Sequence, residues 1–159
     1  MERRLDFGAV ARDGFRATLA FSQYATETVD PMLFEMIKVR ASMVNGCANC
    51  VDMHATAWMD AGEDVRRIIS LSAWRESPYF TDRERAVLDL TDAVTRLGEE
   101  GVTDEVYDAV RVHFDEAEFA NLVVAIATIN VWNRIAIATR IVAAPLDAAP
   151  LDVPVPVHA

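Results

Sequence analysis

Gly46-Cys47-Ala48-Asn49-Cys50-Val51-Asp52-Met53-His54 holds the only two cysteines of the 159-residue chain, three positions apart, with a histidine four residues beyond the second. The pair Asn45-Gly46 suits a left-handed helix terminus, so one helix ends there and the next begins at or just before Cys47. Both cysteines then sit in the first turn of the new helix. At about 100° per residue, Cys47, Cys50 and His54 share an arc of roughly 60°. Val51, Ala55 and Trp58 lie beside them on the inward side, and Asn49, Asp52, Thr56 and Asp60 form the opposite, solvated stripe. The thiols are therefore expected to be half-buried.

Helix signals extend from this junction in both directions. Upstream, residues 9 to 28 carry a helical pattern through Val10, Phe15, Leu19 and Phe21, and Asp30-Pro31 reads as an N-cap with proline at the first helical position of a helix to about Val44. Downstream, the cysteine helix runs to Ala61 and stops at Gly62, and Glu63-Asp64 opens a short helix through Ile68, Ile69 and Leu71. Thr81-Asp82-Arg83-Glu84 is a capping box before Val87, Leu88, Leu90, Val94 and Leu97, with Gly98 and Gly101 ending that element. Thr103 caps a helix carrying Val106, Val110 and Phe114, and Asp115 to Glu118 makes a second capping box for an apolar helix to about Ala143. No strand pattern of any weight occurs. The prediction is an all-α single domain, a helical bundle over residues 1–144, followed by a Pro-rich arm over 145–159. Pro145, Pro150, Pro154 and Pro156 exclude helix in that arm, which is expected to lie extended across a neighbouring subunit.

With 25 acidic and 15 basic residues the net charge is −10, which repels phosphate backbones and anionic membrane surfaces. Neither nucleic acid nor a membrane is an expected partner. The apolar run from Leu122 to Val142 is long enough to span a bilayer, but Asn130, Asn133, Arg134 and Arg140 interrupt it, and an arginine near the centre of a span costs about 2.5–3.5 kcal/mol. A buried helix that also serves an oligomer interface fits better. No apolar h-region follows Met1 to Asp6, so a cytoplasmic location is expected, where a close cysteine pair is catalytic, redox-active or metal-binding rather than a structural bridge.

A helix N-terminus carries partial positive charge and unpaired N–H groups, and both favour thiolate over thiol. His54, one turn beyond Cys50, is placed to hydrogen-bond its sulfur or take its proton. A bland reading stands beside this one: cysteines are often small buried hydrophobes, and Cys-x2-Cys is also half of a zinc site. No second cysteine pair exists to complete such a site, and no metal is assigned. On the preceding helix Glu35 sits just outside the apolar face, within reach of Lys38 at i+3. Arg40 lies inside that face and needs an acidic partner from another helix or subunit. Leu5, Phe7, Tyr24, Trp58, Trp74, Tyr79 and Trp132 are candidates for a hydrophobic entrance, although aromatics at helical spacing are more often core.

Glu35, eleven residues, Cys47-x-x-Cys50, three residues and His54 resemble the E-x11-C-x2-C-x3-H signature of the AhpD-like alkyl hydroperoxidases, in the carboxymuconolactone decarboxylase superfamily. Ala73 to Ser77, Thr81 to Ala86 and Ile129 to Arg134 are similar to its short single-domain branch as well, so the resemblance covers residues 8 to 142. It implies an all-helical fold assembled as homo-oligomers, trimers or hexamers, through long apolar helices. It also implies a peroxidase working without haem, flavin or other cofactor. In that pattern Cys50, beside His54, attacks the hydroperoxide, Cys47 resolves the sulfenic acid, Glu35 relays protons, and an external dithiol, thioredoxin-like or lipoyl, reduces the disulfide. Well-studied members carry a histidine immediately before the second cysteine, where this chain has Asn49. Asparagine cannot shuttle a proton near neutral pH, so the relay is shorter here. Two alternatives follow: a thiol–disulfide exchanger or redox sensor with little peroxidase activity, and a non-enzymatic assembly module with structural or metal-binding cysteines.

Overall fold

Eight α-helices and one 3-10 turn make up the regular structure in the computed structural model, which describes residues 2–143 and 145, and no strand occurs among these residues. The predicted all-α class is the one the chain adopts. The Pro-rich arm lies outside the described residues apart from Pro145.

Local chemistry sets most helix ends. Asp30 accepts from the Leu33 N–H and Pro31 opens α3 (Pro31–Asn45), which ends at Gly46 with φ 70°. Thr81 and Glu84 close a capping box on α6 (Asp82–Arg96), and Asp115 and Glu118 close another on α8 (Glu116–Thr139). Between them run α4 (Ala48–Asp60), α5 (Val65–Ser70), the 3-10 turn Leu71–Ala73 and α7 (Asp104–Arg111). Four details differ from expectation. The first helical stretch is divided at Ala11 into α1 (Phe7–Val10), capped by Asp6, and α2 (Arg12–Thr28). The left-handed position after α6 falls on Leu97 rather than Gly98. Thr103 stands at the N-cap of α7 without a side-chain cap bond, and Asp104 and Glu105 supply negative charge to that first turn instead. Finally, α8 stops at Thr139, where Arg140 turns left-handed at φ 57°.

The core forms where α8 packs between α2, α3 and α6. Leu122, Ala125, Ile126 and Ile129 of α8 meet Leu33, Met36 and Ile37 of α3 and Val87, Leu88 and Leu90 of α6, all buried. By length and composition α8 could cross a membrane, yet half of its most apolar stretch is buried inside the chain itself.

Arg40 finds its partner on another helix. Its Nε and Nη2 donate to Asp92 Oδ1 and Oδ2 of α6 at 2.6 and 2.8 Å, and Nη1 donates to the carbonyls of Leu71 and Ser72. Arg75 and Arg96 close on the same Asp92 oxygen at 3.0 Å each. This fork ties α3, the 3-10 turn and α6 together a short distance before the cysteine junction.

Candidate active site

The hairpin of α3 and α4 builds the site. Only a left-handed residue lets α3 end and α4 start within two positions, and Gly46 supplies it. The Cys47 N–H then donates to the Ser42 carbonyl at 3.0 Å, which places Cys47 at the N-cap of α4 and Cys50 at its third residue. The N–H groups of that first turn have no carbonyl before them to bond, so the positive end of α4 falls on the cysteines.

A buried amide network that the sequence reading did not assign fixes this junction. Asn45 Nδ2 donates to Asn130 Oδ1 at 2.9 Å and to Asn133 Oδ1 at 2.8 Å, and Asn133 Nδ2 donates to Ser42 Oγ at 3.0 Å. Asn130 Nδ2 continues to Thr95 Oγ1 on α6. The signal was present: Asn130 and Asn133 interrupt an otherwise apolar helix, and a polar group placed there must find a partner.

The two sulfurs are joined as a disulfide, with the Cα atoms 5.3 Å apart. The cysteines are buried rather than half-buried, each 3% exposed. Ala136 packs on them from the last turn of α8 and Ile141 from just beyond it, a covering that no wheel of α4 alone contains.

His54 and Glu35 meet across the hairpin. His54 Nδ1 lies 3.4 Å from Glu35 Oε2, and Glu35 Oε1 accepts from Lys38 Nζ at 2.6 Å, with all three side chains about 15% exposed. Among the described residues Oε2 has no hydrogen-bond partner, so His54 Nδ1 approaches it without bonding it. Burial alone would raise the Glu35 pKa, but the His54 contact and the charge and hydrogen bond of Lys38 outweigh it and hold the carboxyl below its ordinary value. For His54, burial and the positive charge of Lys38 together exceed the pull of Glu35, so the imidazole titrates below its ordinary range. The site thus holds a carboxylate and a neutral imidazole one helical turn from Cys50, and four sequence-predicted residues, Glu35, Cys47, Cys50 and His54, fall on one hairpin. Asn49 is partly buried between the cysteines. No three His, Cys, Asp or Glu side chains of the described residues converge as a metal-binding group.

The aromatic candidates for an entrance scatter. Trp58 and Trp74 are core, Tyr24 and Trp132 bond Asn121 and Ser22 on the seam of α2 and α8, and Tyr79 pairs with Arg66.

The carboxymuconolactone decarboxylase family model matches residues 12–93. Over 139 residues the chain is 37% identical to the uncharacterized protein YdfG of Bacillus subtilis, spanning 87% of this chain and 95% of that one. The crystal structure of an Agrobacterium tumefaciens protein of unknown function, provisionally assigned as the antioxidant defence protein AhpD, matches with a TM-score of 0.88 at 37% identity, covering 91% of this chain and 99% of that one. The debrominase Bmp8 in its apo form shares the fold at 17% identity, with a TM-score of 0.68 over 79% of this chain and 70% of that one. The chain belongs to the carboxymuconolactone decarboxylase family, on its AhpD-like side.

Proposed function

We propose that this protein is a thiol peroxidase that reduces organic hydroperoxides through a Cys47–Cys50 disulfide cycle. The observation that carries the reading is the bonded cysteine pair on the first turn of α4, with the Glu35–His54 contact one turn away. In the reduced protein His54 takes the Cys50 proton. The thiolate attacks the peroxide: an S–O bond forms as the O–O bond breaks, the alcohol leaves with a proton, and Cys50 becomes a sulfenic acid. Cys47 then attacks that sulfur, the S–S bond forms, and hydroxide departs as water with the proton returned through His54 and Glu35. An external dithiol, thioredoxin-like or lipoyl, supplies two electrons and ends as a disulfide. The working form is a cytoplasmic homo-oligomer, a trimer or hexamer, joined through the apolar surfaces of its long helices.

A second reading rests on Asn49, which offers a hydrogen bond but no titrating proton between the two thiols. It makes the protein a thiol–disulfide exchanger whose oxidant is another disulfide. Stopped-flow mixing of the reduced protein with cumene hydroperoxide separates the two. Stoichiometric peroxide loss with a new Cys47–Cys50 disulfide is expected, and thiols that survive excess peroxide while reacting with a protein disulfide reject the peroxidase reading.

A further inference from the structure

We propose that Lys38 is a positioning residue of this site: by binding one oxygen of Glu35 it fixes the carboxylate so that the other oxygen serves His54, whose outer nitrogen is left free to accept a proton. The inference rests on the reading of His54 as the proton acceptor for the thiol, and extends it one residue back along α3.

The geometry is a chain of three side chains. Lys38 stands three residues after Glu35, so both project from the same side of α3. Exposed pairs at this spacing contribute little, because water competes for both charges. Here water is mostly absent: the side chains are 14% and 15% exposed, the Nζ–Oε1 distance is 2.6 Å, and Lys38 Nζ lies 4.4 Å from the centroid of the Phe34 ring. A long flexible ammonium is thus held from two sides and holds Oε1 in turn. That leaves Oε2 for His54 Nδ1. Nδ1 stands 3.4 Å from Oε2, a contact without hydrogen-bond geometry; a neutral imidazole that closes it as an Nδ1–H donor keeps its lone pair on Nε2, the tautomer a proton acceptor needs.

Lys38 also acts through space. Its charge opposes imidazolium formation at His54, whereas Glu35 favours it. The other charged groups on α4 itself, Asp52 and Asp60, are exposed, and the cysteine turn is met by Ala136 of α8 and by Ile141 just beyond it, which carry no charge. The balance at His54 is therefore set by two residues of one helix. Lys38 needs Glu35 to be buried, and Glu35 needs Lys38 to remain an anion pointed at the imidazole.

The test is a pH titration of the His54 ring nitrogens by long-range proton–nitrogen NMR, on reduced wild type, Lys38→Met, Lys38→Gln and Lys38→Arg, with Cys50 alkylation by iodoacetamide followed over the same range. The expected wild-type tautomer has the proton on Nδ1. In Lys38→Met the neutral imidazole shifts toward the tautomer protonated on Nε2, and the pH profile of Cys50 alkylation moves with it. Lys38→Arg returns both toward wild type. Lys38→Gln keeps the stem and most of the packing, and serves if the methionine variant fails to fold. A folded, charge-free variant that keeps the wild-type tautomer population overturns the proposal, whichever way the midpoint moves. The titration does not depend on turnover, so a wild type that ignores hydroperoxide sinks the peroxidase reading alone. Variants that keep the wild-type tautomer, when the wild type forms the disulfide with peroxide, sink the Lys38 inference alone.

Discussion

Replacing Asp92 with asparagine should be among the most damaging single changes outside the cysteine hairpin. Asp92 is 3% exposed and faces three guanidinium groups, of which Arg40 is itself buried at 7%. Burial pushes against ionisation, but the Arg40, Arg75 and Arg96 contacts win and lower the carboxyl from 3.8 to about 2. A depression of nearly two pH units corresponds to about 2–3 kcal/mol of stability carried by the ionised form. Its sign is that of a depressed acid: the contribution is complete above about pH 4 and is lost as pH falls toward about 2. Asparagine removes more than this, because it leaves Arg40 buried without a counter-ion, a change that typically costs about 3–5 kcal/mol. Arg75 and Arg96 are half-exposed and add little. Urea denaturation at fixed protein concentration should therefore place Asp92→Asn about 3–5 kcal/mol below wild type at pH 7, with the gap narrowing between pH 4 and 2. The double variant Arg40→Met, Asp92→Leu should recover most of the loss by replacing the pair with apolar volume. A single variant within about 1 kcal/mol of wild type at pH 7 would refute the claim that Arg40 depends on this carboxylate.

Two further changes probe the cysteine junction. At Gly46→Ala an added Cβ meets nothing within 4 Å, so the whole penalty is the left-handed backbone at φ 70°, about 1–2 kcal/mol by urea melting; no measurable loss would mean that another conformation serves the turn equally well. Asn133→Ala strips a fully buried amide from Ser42 Oγ and one acceptor from Asn45, so a loss of about 1–3 kcal/mol is expected together with slower disulfide closure in the reduced protein. Closure at the wild-type rate would show that the network stabilises the fold without aligning the cysteines.

How much the sequence reveals depends on how local the cause is. Asp30, the two capping boxes and Gly46 act on N–H groups and dihedrals within one turn; the first three start their helices and Gly46 ends α3 where expected. Leu97 and Arg140 carry no such signature. A left-handed leucine or arginine is disfavoured by its own Cβ, and both side chains are exposed, so neither residue type nor apolar pattern marks the position. The break at Ala11 is similar: Asp6 caps a short turn before the apolar repeat has begun, and the periodicity of residues 9 to 28 runs on past it. Cysteine burial exceeds what the α4 pattern predicts because its cover, Ala136 and Ile141, comes from the last turn of α8 and the residues just after it.

The charged residues of α3 show why the site was only half legible. On one wheel Glu35 lies at the edge of the apolar face and Arg40 within it, which says that each needs a partner but not where the partner stands. The structure answers with His54 on α4 and Asp92 on α6, neighbours set by helix crossing rather than by spacing along α3. A consequence follows for the chemistry. Apolar side chains on a face as broad as that of α3 tolerate repacking, so hydrophobic contact alone specifies the rotation of the helix loosely. Turning α3 by one residue, about 100°, would part Glu35 from His54 and Arg40 from Asp92 together. Each parting strands buried charge, so the Arg40–Asp92 fork, which touches none of the reacting atoms, holds Glu35 at the angle where it meets the histidine.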